Sequence, residues 1–163
     1  MPIFSNTIPQ VATAAAANAF TTLVGIKFAD TLGHRARLRK LIIAGGGGAP
    51  QDEQVAIKIT KSDLSADGTS TAVNVNLIGK QDPLSVASNV AAIGKTFTVE
   101  PTAKGTTIHA AGGLNARGVL VRDWTNDPAG APAWGQGETL CIEGAPGQAA
   151  AVNLTVALEW EEY

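Results

Sequence analysis

The stretch Val-Asn-Leu-Thr-Val-Ala-Leu-Glu-Trp-Glu at residues 152–161 decides the fold class. Large apolar side chains at every second position alternate with polar or small ones, which sends the two sets to opposite faces of an extended strand. A shift of one residue would bury Asn153 and Glu159, and an unpaired buried carboxylate costs too much for that register to compete. The core-facing residues of the predicted strand are Val152, Leu154, Val156, Leu158 and Trp160.

The same alternation with a period of two recurs at residues 55–60 and 73–77. Shorter apolar stretches predict five further strands, at 23–28, 35–44, 95–100, 118–122 and 139–142. Clusters of Gly, Pro, Asn and Asp separate these stretches and predict turns, among them 111–113 and 127–137. About eight short strands at this spacing predict an all-β protein with a single antiparallel, jelly-roll-like β-sandwich.

The first ten residues predict a short N-terminal arm (1–10) that precedes the sandwich domain (11–163), because they contain two prolines and lack strong alternation. Their apolar residues, Ile3, Phe4 and Ile8, need a surface on which to dock, either on the same chain or on a partner. The alanine-rich residues 11–20 favour a short helix or a strand about equally. Residues 83–92 are likewise compatible with a loop or with one helical turn.

The composition bounds the class of protein. The chain has 163 residues, of which 16% are charged against about 25% in typical soluble domains, and its net charge is −2. This argues against a coiled coil, against acidic disorder and against a global attraction to nucleic acid or anionic membranes. A single cysteine excludes an intramolecular disulfide. No Lys or Arg precedes Lys27, so we expect a soluble protein without a secretory signal.

The sequence contains only weak matches to motifs for metal binding or catalysis. Residues 63–68 match the opening of a calcium loop, but Asn74 stands where such a loop needs a bidentate carboxylate, which favours a hairpin turn instead. His34, His109 and Cys141 are scattered along the chain, and the apolar surroundings of the cysteine are typical of a buried, inert thiol. We therefore expect no catalytic residue, no cofactor, no metal ion and no enzyme activity.

Arg35, Arg37 and Arg39 lie in the one basic cluster and would share a face of a strand. Three interpretations remain open: a solvated face, ion pairs with the acidic end at 159–162 or with another chain, and nucleic-acid binding. The last is the weakest, since no aromatic residues for base stacking lie nearby.

Trp124 and Trp134 occur in or beside a loop rich in Asp, Pro and Gly. They could form a sugar-binding platform, although loop aromatics more often pin the loop or anchor an interface. The residues expected to contact a partner protein or another subunit are Ile3, Phe4, Ile8, Arg35, Arg37, Arg39, Trp124 and Trp134.

Several sequence segments follow one another in a characteristic order along most of residues 11–162. They are Val11-Ala-Thr with Thr21-Thr-Leu-Val-Gly, the Arg-x-Arg-Leu-x-x-Leu strand at 35–41, Val55-Ala-Ile-Lys-Ile-Thr, Ala66-Asp-Gly-Thr-Ser-Thr-Ala, Lys80-Gln-Asp-Pro-Leu with Ala87-Ser-Asn, Phe97-Thr-Val-Glu-Pro-Thr and the closing strand at 150–162. Taken together, they resemble the capsid decoration (cement) proteins of tailed bacteriophages. Residues 123–137 fall outside the resemblance.

The resemblance implies a jelly-roll or tulip-like β-sandwich without enzyme activity that attaches to the outside of the major capsid shell. It also implies a homotrimer, synthesis in the host cytoplasm and a final location on the virion surface, with no membrane or nucleic-acid partner. The alternative from the same architecture is a receptor- or carbohydrate-binding module of a phage fibre or a bacterial surface protein.

The strand at 152–161 leads to a stability prediction. Substitution Leu154→Ala should lower the free energy of unfolding by about 2–5 kcal/mol, because it empties a core leucine site. Substitution Glu159→Gln, on the opposite face, should lower it by less than about 1 kcal/mol. Chemical denaturation of both variants measures the difference. Equally small losses would mean that the strand is an exposed edge.

Overall fold

Two antiparallel β-sheets pack face to face and enclose one hydrophobic core. The computed structural model describes residues 1–29, 33–46, 52–62, 68–84, 86–101 and 109–163, and at 109–111 the backbone alone. Both the all-β class and the antiparallel sandwich predicted from the alternation are confirmed.

Twelve strands and one short 3-10 turn make up the regular structure of the described residues. The strands are β1 (Ile3–Ala12), β2 (Thr21–Phe28), β3 (Arg35–Gly45), β4 (Gln54–Ser62), β5 (Thr69–Val73), β6 (Gly79–Lys80), β7 (Val90–Val99), β8 (His109–Asn115), β9 (Val119–Asp123), β10 (Ala133–Gly135), β11 (Thr139–Pro146) and β12 (Asn153–Glu162). The 3-10 turn is Val75–Leu77.

The strand order is that of a jelly roll. One sheet contains the run β1-β12-β3-β9, and the other contains the run β2-β11-β4-β8. Successive strands of these eight cross between the sheets, except for β4 and β8, which are neighbours in one sheet. Eight strands wrapped in this way define the double Greek key of a jelly roll. The remaining strands extend the edges: β6 pairs with β1, β7 with β2, β5 with β7, and β10 with β3.

The C-terminal strand β12 lies in the middle of its sheet, between β1 and β3. Leu154, Val156 and Trp160 are fully buried, whereas Asn153 is exposed and Glu159 is half-buried on the opposite face. The predicted register of this strand is therefore confirmed. Burial of one complete set of alternate side chains ties the whole strand to the core, because any slip exposes all of them at once.

The N-terminal arm is the main correction. Residues 1–10 fall largely within strand β1, which pairs with β12 on one side and with β6 on the other. Phe4 and Ile8 are fully buried, and the ring of Phe4 stacks on Trp160 with 6.0 Å between ring centroids. The alternation was missed because a bulge at Pro9 and Gln10, where Gln10 has φ of 56°, interrupts it. The sandwich thus begins at Ile3.

Smaller corrections have local causes. The strand predicted at 73–77 ends at Val73, because the Asn74 side chain accepts a hydrogen bond from the Asn76 N–H and starts the 3-10 turn. The turn predicted at 111–113 lies inside β8, where Gly112 has φ of +98° at a bulge opposite β4. The alanine-rich residues 13–20 form turns and contain no helix.

The chain between β4 and β8 forms an insertion that includes β5, β6 and β7. It pairs with both sheets at one side of the sandwich, through β6 with β1 and through β7 with β2. The described residues of this insertion therefore cover the outer edge of β2 along Val24–Phe28, and the outer edge of β1 only at Phe4 and Ser5. A covered edge cannot pair with another chain.

The position of β1 predicts that Phe4→Ala lowers the free energy of unfolding by about 3–5 kcal/mol, as expected for a large aromatic side chain removed from a core. Thr7→Ala, on the same strand but exposed, is the matched control and should change it by less than about 0.5 kcal/mol. Urea denaturation of both variants checks this. A loss below about 1 kcal/mol for Phe4→Ala would mean that residues 1–10 form an arm outside the core.

Candidate interaction surfaces

Two arginines of the basic cluster on β3 form ion pairs with glutamates of β12. Across the β3–β12 ladder, Arg37 forms an ion pair with Glu161, and the Arg39 Nε lies 3.6 Å from Oε1 of Glu159. The guanidinium of Arg37 also lies over the ring of Tyr163, 5.4 Å from its centroid. The interpretation of this cluster as ion pairs with the acidic C-terminal end is confirmed for these two arginines.

Both loop tryptophans are buried, not surface platforms. Trp124 is 7% exposed and Trp134 is 1% exposed. Asp123 positions Trp124, because its carboxylate accepts a hydrogen bond from the Thr125 backbone N–H at 2.8 Å and closes a tight turn. Hydrogen bonds from the Thr125 side chain and backbone lower the pKa of Asp123 below its ordinary value. Trp134 packs edge-on against Phe28.

The predicted contact residues therefore divide into two groups. Phe4, Ile8, Trp124 and Trp134 serve the core and cannot contact a partner, which corrects that part of the prediction. The four residues that reach the surface are Ile3, Arg37 and Arg39, which are half-buried, and Arg35, which is exposed.

Three of the four most exposed large apolar side chains among the described residues lie on the insertion. Leu77 is 69% exposed, Leu84 is 94% exposed and Val86 is 70% exposed. Met1, which is 73% exposed, lines a shallow depression of about 400 Å³ together with Val86 and Ile3. Of these four side chains, Met1 and Val86 line the same depression. Exposed apolar side chains that lie together on a protein surface are typical of a binding site. We call these residues, Leu77, Leu84, Val86 and Met1, the insertion face.

Sequence reasoning missed the insertion face. The alternation at residues 73–77 predicts that Leu77 lies on the apolar face of a half-buried strand. Leu84 and Val86 stand among Pro and Ser residues without periodicity. The exposure of an isolated apolar side chain depends on what packs beside it, so no local pattern identifies these positions.

A buried carboxylate fastens the insertion to the sandwich. Glu162, at the end of β12, is 2% exposed. Its oxygens accept hydrogen bonds from Ser88 Oγ at 2.5 Å, from the backbone N–H and Nδ2 of Asn89 at 2.9 Å each, and from Trp160 Nε1 at 3.1 Å. Several hydrogen-bond donors on one carboxylate fix the position of the chain that carries them. The exposed apolar residues therefore sit next to an anchored segment.

A second connection lies nearby. Gln81 directly follows β6. Its backbone N–H donates to the Ile3 carbonyl at 3.0 Å, and its side-chain amide donates to the Glu159 carboxylate at 2.7 Å. Leu84 follows in a turn that Asp82 closes by accepting from the Leu84 N–H at 2.9 Å. Hydrogen bonds thus hold the insertion face against β1 and β12.

A smaller apolar strip lies on β9. This strand pairs with β3, at the edge of the sheet opposite to β6. Val119 is 61% exposed and Val121 is 47% exposed. Opposite them on β3 are Ala44 and Ile42, both half-buried. This strip is a second exposed apolar surface, and it is smaller than the insertion face.

The residues with catalytic potential do not form a described site. Cys141 is fully buried in β11 and faces Gly25 and Thr60 across the ladders. His34 is exposed before β3, and for His109 only the backbone position in β8 is described. The calcium-loop hypothesis at 63–68 lies outside the described residues, apart from Gly68. Among the described residues, no three His, Cys, Asp or Glu side chains are grouped as metal ligands.

The described part of the chain contains no helix of the length and apolar character needed to cross a membrane.

Comparison with known proteins gives a distant structural likeness. No protein-family model and no curated protein matches the chain. Among solved structures, the chain is similar to one from "Structure of infectious bursal disease virus Gx strain", with 13% sequence identity and a TM-score of 0.22. The match covers 97% of this chain and 40% of that one. A TM-score this low carries no argument about fold or function.

Proposed function

We propose that this protein is a structural virion protein, a capsid decoration protein that binds the outer surface of the major capsid shell and stabilises it. The observation that carries the proposal is the insertion face. Three of its four large apolar side chains lie on one insertion whose flanking segments are hydrogen-bonded to the sandwich. An exposed apolar surface beside hydrogen-bonded segments suits a permanent protein contact, because less of the chain must become ordered when it binds.

Two further features support the proposal. The jelly roll is an architecture used by viral capsid and lectin domains, which is an analogy at the level of the fold. The order of sequence segments resembles phage decoration proteins and points to the first of these two uses. The protein would then act on the virion exterior, without enzyme activity.

The mechanism rests on many weak contacts. One insertion face is too small for a tight complex, since stable interfaces bury about 800 Å² on each partner. A homotrimer presents three such faces to three neighbouring capsid subunits, and the second and third contacts form at a high effective concentration. Dissociation then requires three contacts to break together, and this links the capsid subunits against internal pressure.

The alternative function, a carbohydrate-binding module, loses its expected platform. Trp124 and Trp134 were the aromatic residues on which a sugar could stack, and both are buried. Phe20, at 38% exposure, is the most exposed aromatic side chain after Tyr163 among the described residues, and Lys58 Nζ lies 4.3 Å from the centroid of its ring.

We expect the purified protein to be a homotrimer. Light scattering at micromolar concentration should give about three times the chain mass of 16.6 kDa. A monomer over the whole range would contradict the avidity mechanism.

The insertion face should carry the attachment to the shell. In co-sedimentation with bare shells assembled from the major capsid protein of the same genome, the double variant Leu84→Ser/Val86→Ser should bind at least about tenfold more weakly than the unmodified protein, because apolar area is lost from the contact. The thermal midpoint should be unchanged, since both side chains are exposed.

The control is the double variant Val119→Ser/Val121→Ser on β9, which also replaces two exposed apolar side chains by serine, but at the opposite edge, and should bind within about twofold of the unmodified protein. Binding lost in the control but kept in the insertion variant would place the contact on β9. Failure of the unmodified protein to bind shells would overturn the proposed function.

A further inference from the structure

Strand β9 is an edge strand, and in the described part of the chain it pairs with β3 alone. In an antiparallel ladder, residues that hydrogen-bond to the neighbouring strand alternate with residues that do not. The backbone N–H of Trp124, directly after β9, donates to the Arg39 carbonyl of β3 at 2.8 Å, so every second residue before Trp124 also bonds to β3. The residues between them direct their backbone N–H and C=O groups to the open side, and they are Val119, Val121 and Asp123.

The open side of β9 lacks most of the usual protection of a sheet edge. Natural edges commonly carry proline, lysine, a bulge or a covering segment, each of which prevents pairing with another chain. Strand β9 contains no proline and no lysine, and its ladder with β3 has no bulge. Val119 and Val121 are exposed on its outer face. Open backbone groups and exposed apolar side chains together make this strand suited to pairing with another strand.

The order of side chains along β9 identifies a second copy of the chain as the partner. The segment Arg117-Gly-Val-Leu-Val-Arg-Asp123 is complementary to itself when two copies run antiparallel about a two-fold axis at Leu120. Val119 then lies opposite Val121 of the second copy, so the residues with open backbone groups face each other. Arg117 lies opposite Asp123 of the second copy at both ends of the ladder. Opposite charges and paired β-branched side chains both stabilise adjacent strands.

The same alignment accommodates Arg122, the charged residue whose backbone bonds to β3. Arg122 lies opposite Gly118 of the second copy, which has no side chain to clash with it. A slip of two residues keeps the open backbone groups in register but places Asp123 opposite Val119, or Arg117 opposite Val121. Either slip separates both charges from their partners, so the alignment about Leu120 is the favoured one.

We propose that β9 pairs with β9 of a second copy of this chain, antiparallel and about a two-fold axis at Leu120. The contact involves a strand of five residues, which is small beside the roughly 800 Å² that each partner buries in a stable interface. The pairing is therefore weak and forms well above the micromolar concentrations at which the trimer is measured. A two-fold contact does not close a trimer, so it joins subunits of different trimers.

Disulfide crosslinking of the full-length protein at millimolar concentration tests the alignment. The variants Val119→Cys and Val121→Cys, one of them carrying a tag, are oxidised mildly as a mixture and separately. Opposite residues have Cα atoms about 5.5 Å apart, within disulfide range, whereas diagonal neighbours are about 7–8 Å apart. We expect mixed dimers of the two variants at least about fivefold more often than dimers of either variant alone. Cys141 is buried, and the unmodified protein gives the background.

The charge pairs are tested in the same mixture. Arg117→Glu, added to both cysteine variants, should lower the yield of mixed dimers at least about threefold, because it turns an opposite-charge pair with Asp123 into a like-charge pair. Arg35→Glu, also at an exposed arginine and with the same change in net charge, is the matched control. It should change the yield less than about 1.5-fold, because Arg35 lies outside the paired segment.

Three results would overturn the inference. Dimers of one variant alone, formed as readily as mixed dimers, would show random collision or another alignment. Equal effects of Arg117→Glu and Arg35→Glu would reduce the charge effect to net charge. No crosslinked dimers above the background would show that β9 does not meet a second β9, and the edge would then be left for a strand of a different protein. None of these outcomes bears on shell binding, which is measured separately.

Discussion

The pairing of the two chain ends in the middle of one sheet is the constraint on which the rest of the structure depends. Strand β12 lies between β1 and β3, and the register places Phe4 opposite Trp160. These two rings stack in the core, and both are fully buried. Because β1 and β12 come from opposite ends of the sequence, the jelly roll closes only when nearly the whole chain is present.

The candidate surfaces follow from this closure. The acidic end of β12 faces outward beside β3, where Glu161 and Glu159 pair with Arg37 and Arg39. The one carboxylate of that end that is buried, Glu162, holds the insertion near Asn89. The same strand therefore fixes the core, pairs with Arg37 and Arg39 of the basic cluster and positions the segment that follows the insertion face. This arrangement explains why Arg37 and Arg39 do not form a free basic patch.

The sequence predicts the fold class well because alternation with a period of two is a direct consequence of strand geometry, and residues 152–161 show it without interruption. It fails for β1, where a bulge breaks the alternation, and for β8, where glycines carry no side-chain signal. The surfaces are less predictable. The burial of Trp134 and the exposure of Leu84 depend on packing between segments distant in sequence, and a single sequence does not encode that packing locally.

The central functional claim is that the insertion face meets a capsid shell. An electron cryomicroscopy map of bare shells mixed with this protein tests it most directly, because the map gives the orientation of the sandwich on the lattice. The account predicts three sandwiches around a three-fold position, each with Leu84 and Val86 directed at the shell. Density in which β9 faces the shell and the insertion points to solvent would contradict it.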